Sequence, residues 1–195
     1  AHVSAGTMSY FYPGEVAKWM AQIASGVEFL HKNHVIHRNL KPDVILCTLD
    51  TRGYLSNLAI TEFDSAKAIS KKKQAKTQIG TPSYMSPEVF SSDGSVAYTH
   101  KVDVWGIGMI LYELITLMVP YEDEDFVKLN SLIPAGKLPS TDHIATDYDS
   151  LLTIFRECTQ LDPSKRPEIK RIKEQFLQLS VEFDSFEVQP ASSSS

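Results

Sequence analysis

Three histidines in this 195-residue chain are the first candidates for chemistry, because they recur at a regular spacing. His31, His34 and His37 stand three residues apart, which could suggest a metal site. No cysteine or carboxylate beside them completes a ligand shell of the kind that zinc requires. The absence of these further ligands therefore favours histidines with structural roles over a zinc site.

A basic run is the second candidate. Lys71-Lys72-Lys73-Gln74-Ala75-Lys76 could act as a nuclear signal or bind phosphate, but a run of this kind is more often a solvated loop. The whole chain has a net charge of −5 and an isoelectric point near 5.7, which argues against a protein whose main function is to bind nucleic acid. We expect no nucleic-acid partner.

Five motifs carry the most specific information. They are His37-Arg38-Asn39-Leu40-Lys41-Pro42, Glu62-Phe63-Asp64, the segment Gly80 to Glu88, Asp103-Val104-Trp105-Gly106, and Arg166 before Pro167. In this order and spacing they resemble the catalytic loop, the Asp-Phe-Gly motif, the end of the activation segment, the central C-lobe helix and the late arginine of protein kinases. The resemblance covers about residues 10–179. It points to the serine/threonine branch, and the run from Leu114 to Pro167 is most similar to NIMA-related kinases.

The resemblance implies that the catalytic positions are degenerate. Where the family has the aspartate that accepts the substrate proton, this chain has Asn39, and an amide is not a usable base near neutral pH. The two magnesium-binding positions carry Val44, which offers no side-chain oxygen, and Glu62, which is one methylene longer than aspartate. Lys41 alone remains of the side chains that act on the phosphoryl group. We predict no cofactor, with ATP and magnesium bound only if a longer parent chain supplies an N-lobe.

The residues that hold the family's fold together are retained. His37 and Phe63 match the internal packing spine, and Asp103 matches the buried aspartate that accepts hydrogen bonds from the catalytic-loop backbone. Glu88 and Arg166 match a buried ion pair, and breaking such a pair from one side costs about 3–5 kcal/mol. We therefore expect this ion pair to be formed.

Three further residues are implied to regulate or brace the activation segment. Arg38 keeps the family's arginine, which could clamp Thr77 if that residue were phosphorylated. Thr77 could equally be an ordinary polar loop residue, and both interpretations stay open. Thr81 is expected to hydrogen-bond within the frame near Lys41 rather than to act as a switch.

The elements that would position these residues are mainly helical. The sequence predicts helices over Pro13–Lys32, Glu124–Ile133, Tyr148–Thr159 and Glu168–Leu179, the first and last from apolar residues at helical spacing. Asp103–Leu117 is apolar nearly all round, which predicts a helix buried at the centre of the domain. Two short runs, Val44–Leu49 and Tyr54–Ile60, flank a turn and predict a hairpin that buries Cys47. Residues 66–84 are predicted to form a long loop. The fold class is thus mainly α, a kinase-like C-terminal lobe with one small β-hairpin and no N-lobe.

One compact domain is predicted over residues 10–188. Residues 1–9 are interpreted as a flexible N-terminal segment or an expression remnant, and 189–195 as a disordered Ser-rich tail. The two cysteines, Cys47 and Cys158, favour a reducing, cytoplasmic location over a disulfide-built secreted fold. The most apolar stretch contains Glu113 and is too short to span a bilayer, so no membrane partner is expected.

These expectations combine in a catalytically inactive kinase-like domain that serves as a protein-binding scaffold or regulator. Its protein partner would dock on the Glu124–Ile133 helix and the activation segment, where kinases of this type dock substrates. Two alternatives require an N-lobe from a longer parent: a serine/threonine kinase with weak phosphotransfer through Lys41 and Glu62, or a nucleotide-sensing module. A Gly-rich loop followed by an Ala-x-Lys strand upstream of Met8 would favour either one.

Overall fold

The computed structural model describes residues 10–63, 67–68, 82–91 and 98–187. Within them the chain forms six α-helices and four short strands, with single 3-10 turns between several of them. The helices are α1 (Pro13–Lys32), α2 (Pro87–Phe90), α3 (Lys101–Thr116), α4 (Phe126–Leu132), α5 (Asp149–Cys158) and α6 (Ile169–Glu187). The strands are β1 (Val35–Ile36), β2 (Ile45–Leu49), β3 (Leu55–Ile60) and β4 (Lys67–Ala68).

Helix α1 has the bounds that its sequence predicts. Pro13 occupies the first turn, where its missing N–H costs nothing, and Glu15 lies at the positive end of the helix dipole. The apolar face of α1 is buried against α6 and α3, with Val16, Met20 and Val27 fully buried.

Helix α3 forms the centre of the molecule. Its residues from Val102 to Tyr112 are all buried, as expected for a helix that is apolar nearly all round. Gly106 lies under the catalytic loop, because a Cβ at this position would come within 2.9 Å of the Leu40 Cβ. The absence of a side chain therefore lets the loop approach the helix backbone closely.

The β2–β3 hairpin is present with the pairing Ile45↔Ile60 and Cys47↔Leu58. Helix α1 packs on β3, whereas β2 is exposed from Leu46 to Leu49. The prediction that Cys47 is buried is therefore wrong, because no described element covers the outer strand. Cys158 is fully buried.

A second pairing joins β1 to β4, with Val35 opposite Ala68. Part of the predicted loop over residues 66–84 is thus a strand, and Pro82–Tyr84 form a 3-10 turn. Helix α6 also continues to Glu187, beyond the predicted end at Leu179. The mainly helical, kinase C-lobe-type fold with its small hairpin is confirmed. No helix among the described residues has the length and apolar character needed to cross a membrane.

Candidate functional site

Asp103 fixes the catalytic loop to the start of α3. Its carboxylate is 1 % exposed and accepts the His37 N–H at 2.9 Å and the Arg38 N–H at 2.8 Å. His31, in the last turn of α1, binds the same carboxylate through Nε2 at 2.8 Å. One buried carboxylate therefore joins α1, the loop and α3, as predicted for the loop backbone.

His37 connects the loop to the end of β3. The ring is fully buried, and its Nε2 lies 2.9 Å from the Thr61 carbonyl oxygen. A carbonyl can only accept, so Nε2 carries the proton, and Nδ1 is left to accept the Asn39 N–H at 3.4 Å. The Phe63 ring packs edge-on against His37 at a centroid distance of 5.6 Å. This histidine has a packing role and is not available to a metal.

Asn39 lines a small cleft between the loop and the segment that follows Pro82. Tyr84, Met85 and Ser86 form the opposite wall. The Ser86 hydroxyl is buried and has no hydrogen-bond partner within the described structure. Asn39 is half-buried there, and its neutral amide offers no group that could accept a proton near pH 7.

Lys41 lies beside an acidic side chain. Its Nζ lies 3.4 Å from the Asp43 carboxylate, which is 72 % exposed. Lys41 itself is largely buried, with a side chain that is 20 % exposed. The lysine is therefore held at the loop beside Asn39 in a position where it could contact an anion.

Val44 lies in the hydrophobic core. Its side chain is fully buried, and its carbonyl accepts the Thr61 N–H at 2.9 Å and the Thr61 hydroxyl at 3.1 Å. The methyl groups therefore fill the space where the family's metal-binding asparagine would stand. Both hydrogen bonds that the carbonyl oxygen accepts come from Thr61, which directly follows β3.

Glu62 follows Thr61 at the end of β3 and is exposed. It has a φ of +59°, in the left-handed region that side chains other than glycine rarely adopt. The neighbouring Asp64 lies outside the described residues. Across the described part of the chain, no three His, Cys, Asp or Glu side chains come together in a way that could hold a metal ion.

The predicted ion pair between Glu88 and Arg166 is formed. The guanidinium donates to both carboxylate oxygens, at 2.6 and 2.9 Å, in a two-point arrangement that suits arginine. Arg166 is 1 % exposed and also donates to the Gln160 and Lys101 carbonyls, while its guanidinium lies 5.0 Å from the Trp105 ring centre. The end of the activation segment is thereby tied to the lower helices.

Two contacts at the site are not apparent from the sequence. The Tyr84 hydroxyl donates to Glu113 on α3, and burial followed by this hydrogen bond raises the pKa of Tyr84. Burial also raises the pKa of Glu113, with a further contribution from Asp43. The second contact joins His31, a metal candidate by its spacing, to Asp103 at 2.8 Å, and no local pattern links these positions, which lie 72 residues apart.

Of the three residues predicted to regulate or brace the activation segment, the structure describes Arg38. Arg38, with a φ of +71°, donates from Nη1 to the Tyr98 hydroxyl at 2.9 Å. Thr77, Thr81 and the basic run from Lys71 to Lys76 lie outside the described residues.

Residues 2–177 match the protein kinase domain family. This chain belongs to the protein kinase domain family. Relatives include serine/threonine kinases, among them a NIMA-related one, in agreement with the sequence motifs. This chain is 33 % identical over 162 residues to serine/threonine-protein kinase Nek4 of Mus musculus, and the match covers 83 % of this chain and 19 % of the relative.

Two other relatives extend the comparison. "Kinase and exchange factor for Rac B" of Dictyostelium discoideum is 36 % identical over 169 residues, which is 83 % of this chain and 15 % of that protein. Serine/threonine-protein kinase 32B of Homo sapiens is 31 % identical over 159 residues, which is 80 % of this chain and 37 % of that protein. The chain thus spans well under half the length of these relatives.

Proposed function

We propose that this chain is a kinase-fold domain without phosphotransfer activity that serves as a protein-binding scaffold or regulator. The supporting observation is a contrast between two sets of residues. Asp103 and Arg166, which fix the frame, are buried and each make at least two side-chain hydrogen bonds. The positions for the base and the metal ligands carry Asn39, Val44 and Glu62.

Mg–ATP, which the family implies, does not fit the residues present. Magnesium takes oxygen ligands in near-ideal octahedral geometry. Val44 turns methyl groups into the core, and Glu62 has an exposed, longer side chain on a left-handed backbone. No catalytic step is therefore assigned to this cofactor, and the proposal includes none.

A thermal-shift titration with ATP and Mg²⁺ tests the loss of nucleotide binding. A ligand that binds only the folded state raises the melting temperature in proportion to RT ln(1 + [L]/Kd). We expect no saturable rise for this chain, with the kinase domain of mouse Nek4 as the positive control. A saturable, Mg²⁺-dependent rise would contradict the proposal and favour a phosphotransferase in a longer parent chain.

The docking surface belongs to the same proposal. Helix α4 lies beside the Pro82–Tyr84 turn, and its Phe126 ring is 6.2 Å from the Phe90 ring of α2. The partner is proposed to be a cytoplasmic protein rather than a membrane or a nucleic acid. Quantitative capture from cell extract, followed by titration of the purified partner, should show binding that Val127→Asp on α4 removes and Val181→Asp on α6 preserves. Equal loss with both variants, or with neither, would contradict docking at α4.

A further inference from the structure

The seven residues from Glu122 to Lys128 are exposed without interruption. They read Glu-Asp-Glu-Asp-Phe-Val-Lys and enter the first turn of α4. Phe126 is 59 % exposed and Val127 is 78 % exposed, although both are apolar. Exposed apolar side chains beside a dense charge are typical of interaction sites rather than of solvated faces.

The exposed residues Phe126 and Val127 belong to the regular helix α4. Asp125 caps α4 by accepting the Lys128 N–H at 2.7 Å, and the Asn130 amide donates to the Phe126 carbonyl at 2.8 Å. Leu129 and Ile133 are buried and anchor the opposite face of the helix. Phe126 and Val127 are therefore presented on a fixed backbone, which lowers the entropy lost on binding.

This surface carries a net negative charge. The segment holds four carboxylates and one lysine, and no ion pair in the described structure involves Glu122, Asp123, Glu124 or Asp125. Burying such a surface against another negative surface would be unfavourable. A nucleic acid, an anionic membrane and a second copy using the same face would each bring negative charge to it. A basic partner is the complementary one.

We infer that the surface formed by residues 122–128, here called the acidic ridge, binds a protein segment that carries one or two large apolar side chains flanked by lysine or arginine. The apolar side chains would pack on Phe126 and Val127 while the basic ones approach Glu122, Asp123 and Glu124. The inference rests on the proposed docking function and adds the chemistry of its partner.

Selection of peptides from a random phage-displayed library against the purified chain tests this inference. We expect enriched peptides that combine Lys or Arg with Leu, Phe or Trp. Their affinity should fall at least tenfold with Val127→Asp and with Glu124→Lys, and weaken as salt screens the charges. The matched variants Val181→Asp and Glu182→Lys on the exposed face of α6 should change it less than twofold. Melting curves show that each variant folds.

Lys128→Glu separates a basic partner from an acidic one. It adds negative charge to the acidic ridge, so a basic peptide should bind more tightly and an acidic peptide more weakly. Enriched peptides that are acidic or uncharged but still depend on Val127 would overturn the inference and leave docking at α4 intact. Peptides insensitive to Val127→Asp, or no enrichment above the Val127→Asp chain, would contradict both.

Discussion

Asp103 accepts hydrogen bonds from three donors that come from two segments of the chain. His31 belongs to α1, and the His37 and Arg38 amides belong to the catalytic loop. Because the carboxylate is buried, each donor would lose its partner and gain no water if the carboxylate were removed. The shape of the loop therefore depends on a residue that performs no chemistry itself.

Asp103→Asn is expected to lower the free energy of unfolding by about 2–4 kcal/mol. An asparagine side chain has one oxygen to accept from the donors, and its NH₂ group would face an N–H. Urea unfolding followed by tryptophan fluorescence measures the change. Asp142→Asn, at an exposed position, serves as the control and should stay within about 0.5 kcal/mol of wild type. Unfolding of both variants at the wild-type midpoint would show that the carboxylate does not hold the loop.

Individual side-chain contacts also differ in whether the sequence predicts them. The Glu88–Arg166 pair was predictable, because both side chains stand in motifs whose order is specific. The Tyr84–Glu113 hydrogen bond was not, because it joins positions 29 residues apart that no local pattern links. Contacts of this kind appear only once α3 and the Pro82–Tyr84 turn are packed together.

At the scale of elements, α1 and α6 form the most extensive contact between any two elements of the described residues. Glu28 on α1 has a side chain that is 8 % exposed and lies 2.6 Å from Lys173 on α6 and 2.8 Å from Lys32. The hydrogen bond from Lys173, followed by that from Lys32, lowers the pKa of Glu28 from 4.5 to about 2. The ionised carboxylate is therefore part of the packed interface.

The Glu28 carboxylate should make stability fall in acid. Because its folded pKa lies below its unfolded one, its contribution is present above pH 4.5 and is lost as the pH falls towards about 2. Glu28→Gln should lower the free energy of unfolding by about 1–2 kcal/mol at neutral pH. The free energy of unfolding of this variant should also decline less steeply between pH 4.5 and about 2. Melting temperatures from neutral pH downward test this, with Glu174→Gln, an exposed α6 residue, as the control. A parallel decline in the wild type and Glu28→Gln would contradict it.

Elements differ in how far their bounds follow from sequence. Helix α1 was predictable to both ends, since Pro13 starts it and its apolar spacing is regular. Helix α6 runs eight residues past its predicted end, where the Phe183 ring packs on Tyr12 at 6.1 Å. That contact joins opposite ends of the chain, so no local spacing reveals it. The burial of β2 was mispredicted for a related reason, because an apolar run does not show whether another element covers the strand.

At the scale of the whole molecule, the three altered positions are built into three different local structures. Asn39 lies in the cleft, Val44 fills the core under the hairpin, and Glu62 lies two residues past the end of β3 in a left-handed conformation. A complete set of the family's catalytic residues would therefore require changes that the surrounding packing resists to different degrees. An asparagine at position 44 would bury an amide among apolar neighbours and cost about 1–3 kcal/mol of stability.

An aspartate at the base position should not by itself give this chain phosphotransfer activity. Asn39→Asp supplies a carboxylate in the cleft, but Val44 and Glu62 still leave the metal ligands incomplete, and positioning and charge neutralisation provide most of the catalysis in this reaction. We expect transfer of labelled phosphate from ATP to a generic protein substrate to stay at the level of the Asn39→Asp, Lys41→Ala double variant. That comparison removes signal from a contaminating kinase, since Lys41 is the remaining side chain that could act on the phosphoryl group. Transfer by Asn39→Asp that disappears with Lys41→Ala would show that the base was the single missing part, and that the geometry at Val44 and Glu62 tolerates the metal.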